Sequence, residues 1–357
     1  MEKLTSFYKN KKILVTGATG FKGSWLCSWL LKLGAKVYGT GYSPNKNKNL
    51  FYSLNLQKKI SLRLFDIRDF EKLNKLIKEK KPEIIFHLAA QPLVYDSYVK
   101  PLYTFDVNFR GTVNLLEASK LSKHVKTIVC VTTDKVYENT GNNKKFKETD
   151  RLGGNDPYSL SKASAELAIK SYREIFKKIK KNCNISSVRA GNVIGGGDWS
   201  EKRLVPDCIK SISSNKTIII RNPKYIRPWQ FILEPLKGYL MLAKKQFYNP
   251  KKFATDWNFG PEIESKITVI QVVNLIINLW GKGKFKIKKY VKFKEQKNLR
   301  LDIRKAKAVL GWNATYNTKN GIKKTIQWYY DVVINKNSPS TATNDQITEY
   351  MKKANLK

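Results

Sequence analysis

Histidine is nearly absent from this chain of 357 residues, which holds only His87 and His124. That excludes a histidine-rich metal centre and leaves little room for a Ser-His-Asp triad. Cysteine is scarce as well: Cys27, Cys130, Cys183 and Cys208 stand far apart with no C-x-x-C pair. Their spacing argues against a zinc site and against a disulfide framework, so reduced, mostly buried thiols are expected. No apolar run reaches eighteen residues, and Met1 to Lys12 is polar without the core of a signal peptide. Neither a membrane partner nor secretion is expected, and a cytoplasmic location follows by default.

Acidic residues are also few, 28 against 68 Lys and Arg, for a formal net charge of +40. Such a balance would ordinarily point to nucleic acid. Here the excess is nearly all lysine, spread from Lys9 to Lys357 and mixed with asparagine wherever a surface position is free to vary. A nucleic-acid-binding protein would gather its cations on one element with interleaved aromatics, so no nucleic-acid partner is expected. The diffuse positive field suits attraction of anionic substrates.

With 41% hydrophobic residues the chain can bury a sizeable core. Its first half alternates strands with helices, the pattern of an α/β fold with a doubly wound parallel (Rossmann) sheet. Strands are expected at Lys12–Thr16, Lys36–Gly41, Ser61–Phe65, Glu83–Leu88, Lys126–Thr132 and Asn184–Arg189. Helices are expected at Phe21–Leu33, Phe70–Lys80, Leu102–Leu121 and Tyr158–Lys178. This cofactor-binding domain occupies residues 1–190. From 191 to 335, Gly and Pro punctuate shorter segments, such as Gly195-Gly196-Gly197, Arg227-Pro228 and Gly260-Pro261. That stretch is expected to form a smaller mixed α/β substrate domain, separate from the main sheet apart from segments that return to the core. Within it fall a strand at Thr217–Arg221 and helices near Glu234–Gln246, Thr268–Leu279 and Lys319–Val333. Residues 336–357 read as a loosely attached polar tail with room for one last helix.

Directly after the first strand, Gly17-Ala18-Thr19-Gly20-Phe21-Lys22-Gly23 forms a G-x-x-G-x-x-G turn that opens a helix. Glycines there let the backbone approach a pyrophosphate, whose charge is met by N–H groups at the helix N-terminus. The second strand ends in Gly39-Thr40-Gly41-Tyr42-Ser43, without the usual acid for an adenosine ribose and without an arginine for a 2′-phosphate, so NAD is favoured. Asp66 and Ile67, at the end of the third strand, are candidates for the adenine edge, while Asp69 fits a helix cap better. His87-Leu88-Ala89-Ala90-Gln91 closes the fourth strand with small residues where a cofactor would lie across the strand ends, and His87 itself reads as a packed residue.

Tyr158-Ser159-Leu160-Ser161-Lys162 places a phenol and an ammonium one helical turn apart. A nearby lysine and a cationic nicotinamide stabilise a phenolate, which can take a proton from a sugar hydroxyl while hydride leaves its carbon. A Tyr-x-x-x-Lys spacing is common by chance. It gains weight behind a glycine turn and a strand that ends in Thr132-Thr133-Asp134-Lys135.

These motifs resemble the extended short-chain dehydrogenase/reductase family. The resemblance implies a catalytic set of Thr133, Tyr158 and Lys162, with Asn108 as the family's structural asparagine beside the cofactor. Asp134 stands where sugar-nucleotide 4,6-dehydratases carry an acid. Four segments narrow the likeness to the subgroup acting on CDP-glucose: Ala90-Gln91-Pro92-Leu93-Val94, Gly153 to Tyr158, Arg189 to Trp199, and Ile226-Arg227-Pro228-Trp229-Gln230. That subgroup follows the Asp with Lys, as Lys135 does here. The match runs over roughly residues 6 to 335.

The resemblance implies C4 oxidation, elimination across C5 and C6 with Asp134 as the acid at C6, and hydride return. The product is CDP-4-dehydro-6-deoxy-D-glucose, serving a 6-deoxyhexose of a surface polysaccharide. Lys135 would take the C5 proton, or stabilise an enolate. Thr133 would hydrogen-bond the sugar O4, or cap the strand end. For the substrate pyrophosphate and nucleotide the candidates are Gln91, Arg189, Asn192, Arg221, Arg227 and Gln230. Trp199 and Trp229 would pack the domain or line the base pocket. A homodimer is expected through the Leu102–Leu121 and Tyr158–Lys178 helices, with a tetramer as an alternative. The nearest rival, a sugar-nucleotide 4-epimerase, has no use for an acid at C6.

Overall fold

Short Ile- and Val-rich runs bounded by turn residues become strands covered on both faces, which is why they lack polar alternation. The computed structural model describes residues 3–42, 49–139, 141, 144–262, 267–288 and 299–356. The first five strands are β1 (Lys12–Thr16), β2 (Lys36–Gly41), β3 (Ser61–Leu64), β4 (Ile84–His87) and β5 (Thr127–Val131). Every residue of β4 and β5 is buried. They join the strands Asn184–Ala190 and Asp256–Phe259 in one seven-stranded sheet. All neighbours in it are parallel, with Thr16 opposite His87 and Val131 opposite Val188. Across the sheet the order is Asp256–Phe259, Asn184–Ala190, β5, β4, β1, β2, β3. The winding reverses between β1 and β4, and the crevice at that reversal is where such sheets bind ligands.

Helices pack on both faces. Helix Phe70–Lys80 is capped by Asp69, whose side chain accepts from Lys72 N–H. Helix Pro157–Lys178 starts with Pro157 in its first turn and Asp156 accepting from Ser159 N–H. The helix expected over Leu102–Leu121 begins at Pro101 and contains a π-helical turn at Asp106–Arg110. There Asn108 turns inward, donating to Gln91 O at 3.1 Å and to Ser161 Oγ at 2.9 Å while accepting from Gln91 N–H at 2.8 Å. Those bonds compensate the disturbed helical ladder.

One expectation gains its residues and another changes. The second half is not wholly separate from the main sheet: the segment that returns to the core is Asp256–Phe259, the edge strand beside Asn184–Ala190, with Phe259 opposite Ala190. A strand of four residues with fully buried Trp257, Asn258 and Phe259 leaves no periodic signature in a Gly- and Pro-rich stretch. Nor is the end of the chain loosely attached: helix Pro339–Lys353 buries Ile347, Tyr350 and Met351. The Tyr350 ring meets Trp29 edge-on at 5.7 Å and Tyr316 at 5.5 Å, which joins the last helix to the glycine-turn helix Phe21–Lys32. The other second-half helices lie at Leu204–Ser213, Leu233–Tyr248, Val269–Trp280 and Thr318–Val333. The expected strand near Thr217–Arg221 is Ile218–Ile220, paired with Phe285–Ile287.

Truncating a buried aromatic leaves a cavity costing about 3–5 kcal/mol. Tyr350→Ala should therefore lower unfolding stability by that order, read from the urea midpoint. A change under ~0.5 kcal/mol would mean that the last helix is not part of the core.

Candidate active site

The glycine turn sits where β1 and β4 end side by side. Gly17 has a positive φ of 71°, and a Cβ there would lie 2.7 Å from Ala89 N and from the Leu88 carbonyl carbon. A Cβ on Gly23 would stand 2.1 Å from Gly17 O, and one on Gly20 3.3 Å from the same oxygen. Only bare backbone fits this crossing. The helix that follows has neither a side-chain cap on its first N–H groups nor an acid in its first turn. A cradle of backbone donors with an uncompensated helix dipole fits a pyrophosphate. The Phe21 ring instead packs toward Gly195, where a Cβ would come within 3.1 Å of it. Lys22 is half-buried, and burial, with help from Arg203 and Lys162 and against Asp134, lowers its ammonium to about 8.

Around the expected adenine edge, Asp66 is held by Arg68, whose Nε reaches Oδ1 at 3.0 Å and Nη2 reaches Oδ2 at 2.8 Å. Those bonds hold the Asp66 carboxyl below its usual range. The Arg68 guanidinium lies 4.9 Å from the Tyr103 ring centroid, so any adenine contact of Asp66 shares its oxygens with Arg68. Ile67 is buried beneath Gly111. Ala89 and Ala90 are half-buried at the crevice. At the end of β2, a Cβ on Gly41 would clash with Thr19 Oγ1 at 2.4 Å, and Tyr42 is exposed. Ser43 lies outside the described residues.

Thr133, Asp134, Tyr158 and Lys162 are all buried. Thr133 Oγ1 donates to Asp134 Oδ1 at 3.1 Å and is close enough to the Tyr158 phenol to act on it. Lys162 donates to Val131 O at 3.0 Å, in the last residue of β5. Burial pushes the Tyr158 phenol up to about 12, against the influence of Thr133. Burial also lowers Lys162 to about 8, opposed by Glu166. Asp134 opens a short 3-10 helix, Asp134–Val136, and its Oδ2 is buried without a hydrogen-bond partner. Burial raises the Asp134 carboxyl against the pull of Lys135, the Thr133 hydrogen bond, Arg227 and Lys22. A carboxyl whose protonated form is favoured by desolvation is suited to donating a proton. Lys135 is half-buried beside it.

Among the substrate candidates, three have other work. Arg189 is buried, donating through Nε and Nη2 to Glu166 at 2.9 and 2.8 Å and through Nη1 to Tyr137 Oη at 2.8 Å and Glu148 O at 3.1 Å. It therefore braces the core, with four of its five N–H donors bonded and Nη2 also 3.6 Å from Asp256 Oδ2. Gln91 spends its amide on Leu93 O at 3.1 Å and Thr104 Oγ1 at 2.9 Å, locking the loop after β4. Gln230 gives its amide to Phe259 O at 3.0 Å and is buried. The loop after strand Asn184–Ala190 does reach the site: a Cβ on Gly191 would lie 3.0 Å from Asp134 Oδ2 and 2.7 Å from Pro228 Cγ. Asn192 is half-buried next to it, and buried Arg227 is close enough to act on Asp134 electrostatically. Arg221 is exposed and acts on Asp207. Trp229 is buried and Trp199 packs edge-on against Tyr329 at 5.2 Å, so both are packing residues. Arg203 was absent from the sequence candidates. It pairs with Asp198 at 3.1 Å, and its charge acts on Tyr158 and Lys22. Its one sequence signal is an arginine just before the helix Leu204–Ser213.

The profile of the GDP-mannose 4,6 dehydratase family matches residues 14–325. The chain belongs to that family. Like it is the CDP-glucose 4,6-dehydratase of Salmonella typhimurium, 42% identical over 329 residues, 91% of this chain and 92% of that protein. The dTDP-glucose 4,6-dehydratase of Bacillus anthracis, solved in complex with NAD, is 25% identical with a TM-score of 0.73 over 90% of this chain and 96% of that one. The UDP-glucose 4-epimerase of Thermotoga maritima shares the fold at 24% identity, with a TM-score of 0.77 over 90% of this chain and 99% of that one.

His87, as expected, is a packed residue of this dehydratase-family fold. Its Nδ1 lies 2.7 Å from Thr16 Oγ1 and its Nε2 3.1 Å from Thr112 Oγ1. Burial, helped by the Lys162 charge, lowers it from 6.5 to about 3. The folded state refuses a proton that the unfolded chain accepts, so the His87 contribution is whole above about 6.5 and is lost as pH falls toward about 3. The urea midpoint of the wild type should drop more steeply below pH 6 than that of His87→Gln, with up to roughly 1.4 kcal/mol per pH unit at stake. Parallel curves would show that the imidazole accepts its proton in the folded state.

Proposed function

We propose that this dehydratase converts CDP-glucose to CDP-4-dehydro-6-deoxy-D-glucose and water, with NAD as a resident cofactor. The observation that carries the reading is Asp134: a buried carboxyl, raised toward its neutral form, beside Thr133 and Tyr158. An epimerase has no step for such an acid. The CDP sugar is favoured by the Salmonella relative. NAD is favoured by the bare-backbone cradle at Gly17, Gly20 and Gly23 and by the NAD complex of the Bacillus anthracis dehydratase.

The glycine turn would hold the cofactor pyrophosphate, Ala89 and Ala90 would line its path, and Asp66 would face the adenine side. Bound NAD would supply reversible hydride acceptance, from C4 and back to C6. Tyr158 takes the C4 hydroxyl proton as its phenolate, with Thr133 fixing the sugar O4. The Lys162 cation lowers the cost of that phenolate, and a cationic nicotinamide adds to the same effect. Oxidation at C4 acidifies the C5 proton, which Lys135 takes as its neutral amine, and a solvent-exchanged proton is given back to C5 as hydride returns to C6. Asp134 gives its proton to the departing C6 hydroxyl. Arg227, Asn192 and Arg203 would meet the substrate's phosphates and nucleotide.

Proton NMR in deuterated water, with CDP-, dTDP-, UDP- and GDP-glucose in parallel, tests the reading. A C6 methyl signal with deuterium at C5 is expected with the CDP sugar, and a galactose isomer instead would mean an epimerase. Tyr158→Phe should lower kcat by ~10²–10⁴ while KM moves only a few-fold.

No helix among the described residues is long and apolar enough to cross a membrane, and the cysteines are buried and free. A cytoplasmic enzyme fits both. Val99, Leu102, Phe109, Leu160 and Leu167 are exposed on neighbouring helical segments packed side by side. Such a cluster favours burial against a second copy of the chain. Light scattering on the purified protein should give a dimer mass, and Leu102→Glu with Leu167→Glu should give a monomer. A monomeric wild type would refute this assembly.

A further inference from the structure

Tyr158, Lys162 and Glu166 follow one another at four-residue spacing along helix Pro157–Lys178, so they share a face. Sequence reasoning and the proposed chemistry use the first two only. Glu166 is nevertheless as enclosed as they are, with its side chain 1% exposed. All four of its acceptor directions are filled: Oε1 by Thr132 Oγ1 and by Arg189 Nε at 2.9 Å, Oε2 by Ser187 Oγ at 2.7 Å and by Arg189 Nη2 at 2.8 Å. Thr132 immediately precedes Thr133 and Asp134. On its other side Arg189 holds Tyr137 Oη at 2.8 Å, and Tyr137 lies three residues after Asp134. The Tyr137 hydroxyl then donates to Asn258 Oδ1 at 2.7 Å, in the edge strand Asp256–Phe259.

One ion pair thus grips both ends of the 132–137 segment that carries Thr133, Asp134 and Lys135. The same pair is built into the helix that carries Tyr158 and Lys162. We infer that Glu166, clamped by Arg189, is a positioning residue that sets the Tyr158–Lys162 base against the Thr133–Asp134 acid. This rests on the dehydratase chemistry proposed above. A plain packing role would need no carboxylate, since a buried ion pair adds little stability over apolar residues of the same size. What the pair supplies is directional: four hydrogen bonds that fix the angle between helix, strand end and short 3-10 helix.

Glu166 also has an electrostatic duty. The charged or titratable groups that act on or feel Lys162 are Glu166 on its own helix, Cys130 on β5, His87 on β4 and Lys22 on the glycine-turn helix. Of these Glu166 is the largest influence that keeps Lys162 protonated. Removing its charge should let Lys162 lose its proton at lower pH. The decline of kcat at alkaline pH should then move to lower pH as well.

The test uses Thr132→Val and Glu166→Gln in the holoenzyme, with whichever sugar nucleotide the wild type turns over in the four-substrate panel. If that is not CDP-glucose, the substrate reading fails while this inference is still tested. Thr132→Val cuts one bond of the clamp and keeps the charge: kcat should fall ~10-fold or more with KM within threefold and the alkaline limb in place. Glu166→Gln keeps the shape and loses the charge: kcat should fall further, with the alkaline limb moved down by ~1 unit. A Glu166→Met/Arg189→Met double variant should fold and stay inactive. Wild-type kcat in folded Thr132→Val, or in the folded double variant, overturns the inference. So does an unmoved alkaline limb in folded Glu166→Gln. Should Glu166→Gln not fold, Thr132→Val decides alone.

Discussion

Every strand of a parallel sheet finishes at the same edge, and this constraint organises the whole molecule. Residues far apart in sequence arrive together because they follow strand ends: Gly17 after β1, Ala89 after β4, Thr133 and Asp134 after β5, Gly191 after Asn184–Ala190. The close crossing of Gly17 with Ala89 and of Gly191 with Asp134 shows how tightly these ends converge. Chemistry at that edge requires no special loop architecture. It requires small residues where backbones meet and side chains placed within three residues of the strand ends.

The electrostatics follow from the same crowding. Asp134 is a buried acid among Lys22, Lys135 and Arg227, with Thr133 as its hydrogen-bond donor. Desolvation and cations pull its protonation in opposite directions, and burial has the larger effect. Lys162 and Tyr158 meet the complementary situation, because burial disfavours the charged form of each. Burial thus favours the neutral form of all three groups, opposed at Lys162 by the Glu166 carboxylate. The wide lysine excess on the surface plays no part in this balance. It is set by a few buried groups.

Most of the first 190 residues were legible because apolar strands bounded by Gly, Pro and Lys are long enough to show their limits. β1 and β2 fall on the expected residues, and the helices starting at Phe21 and Phe70 begin where expected. The candidate catalytic residues were legible as motifs, since Tyr and Lys at one helical turn and Thr-Asp after a strand require no knowledge of distant partners. Arg189 was misread for the opposite reason. An arginine at a strand end looks the same whether it meets a phosphate or a buried carboxylate. Only Glu166, on the inward face of the Tyr158 helix, signals that a buried cation is owed to it. Gln91 and Gln230 also hold partners that were not legible, because an amide's partners in a loop or sheet are set by backbone positions that sequence does not reveal. The burial of the last helix was hidden by its polar composition, although Ile347, Tyr350 and Met351 repeat at helical spacing.

The edge strand Asp256–Phe259 has a consequence for how the chain is made. A ribosome releases the chain from its first residue onward, so six of the seven main strands exist well before the seventh emerges. During that interval the strand Asn184–Ala190 presents an open row of unpaired N–H and C=O groups, a template for pairing with another nascent chain. Closing it demands a contact between strands separated by a long intervening stretch of sequence, which is slow to form. The strand that completes the sheet is thus also the one that ends its period of greatest exposure to aggregation.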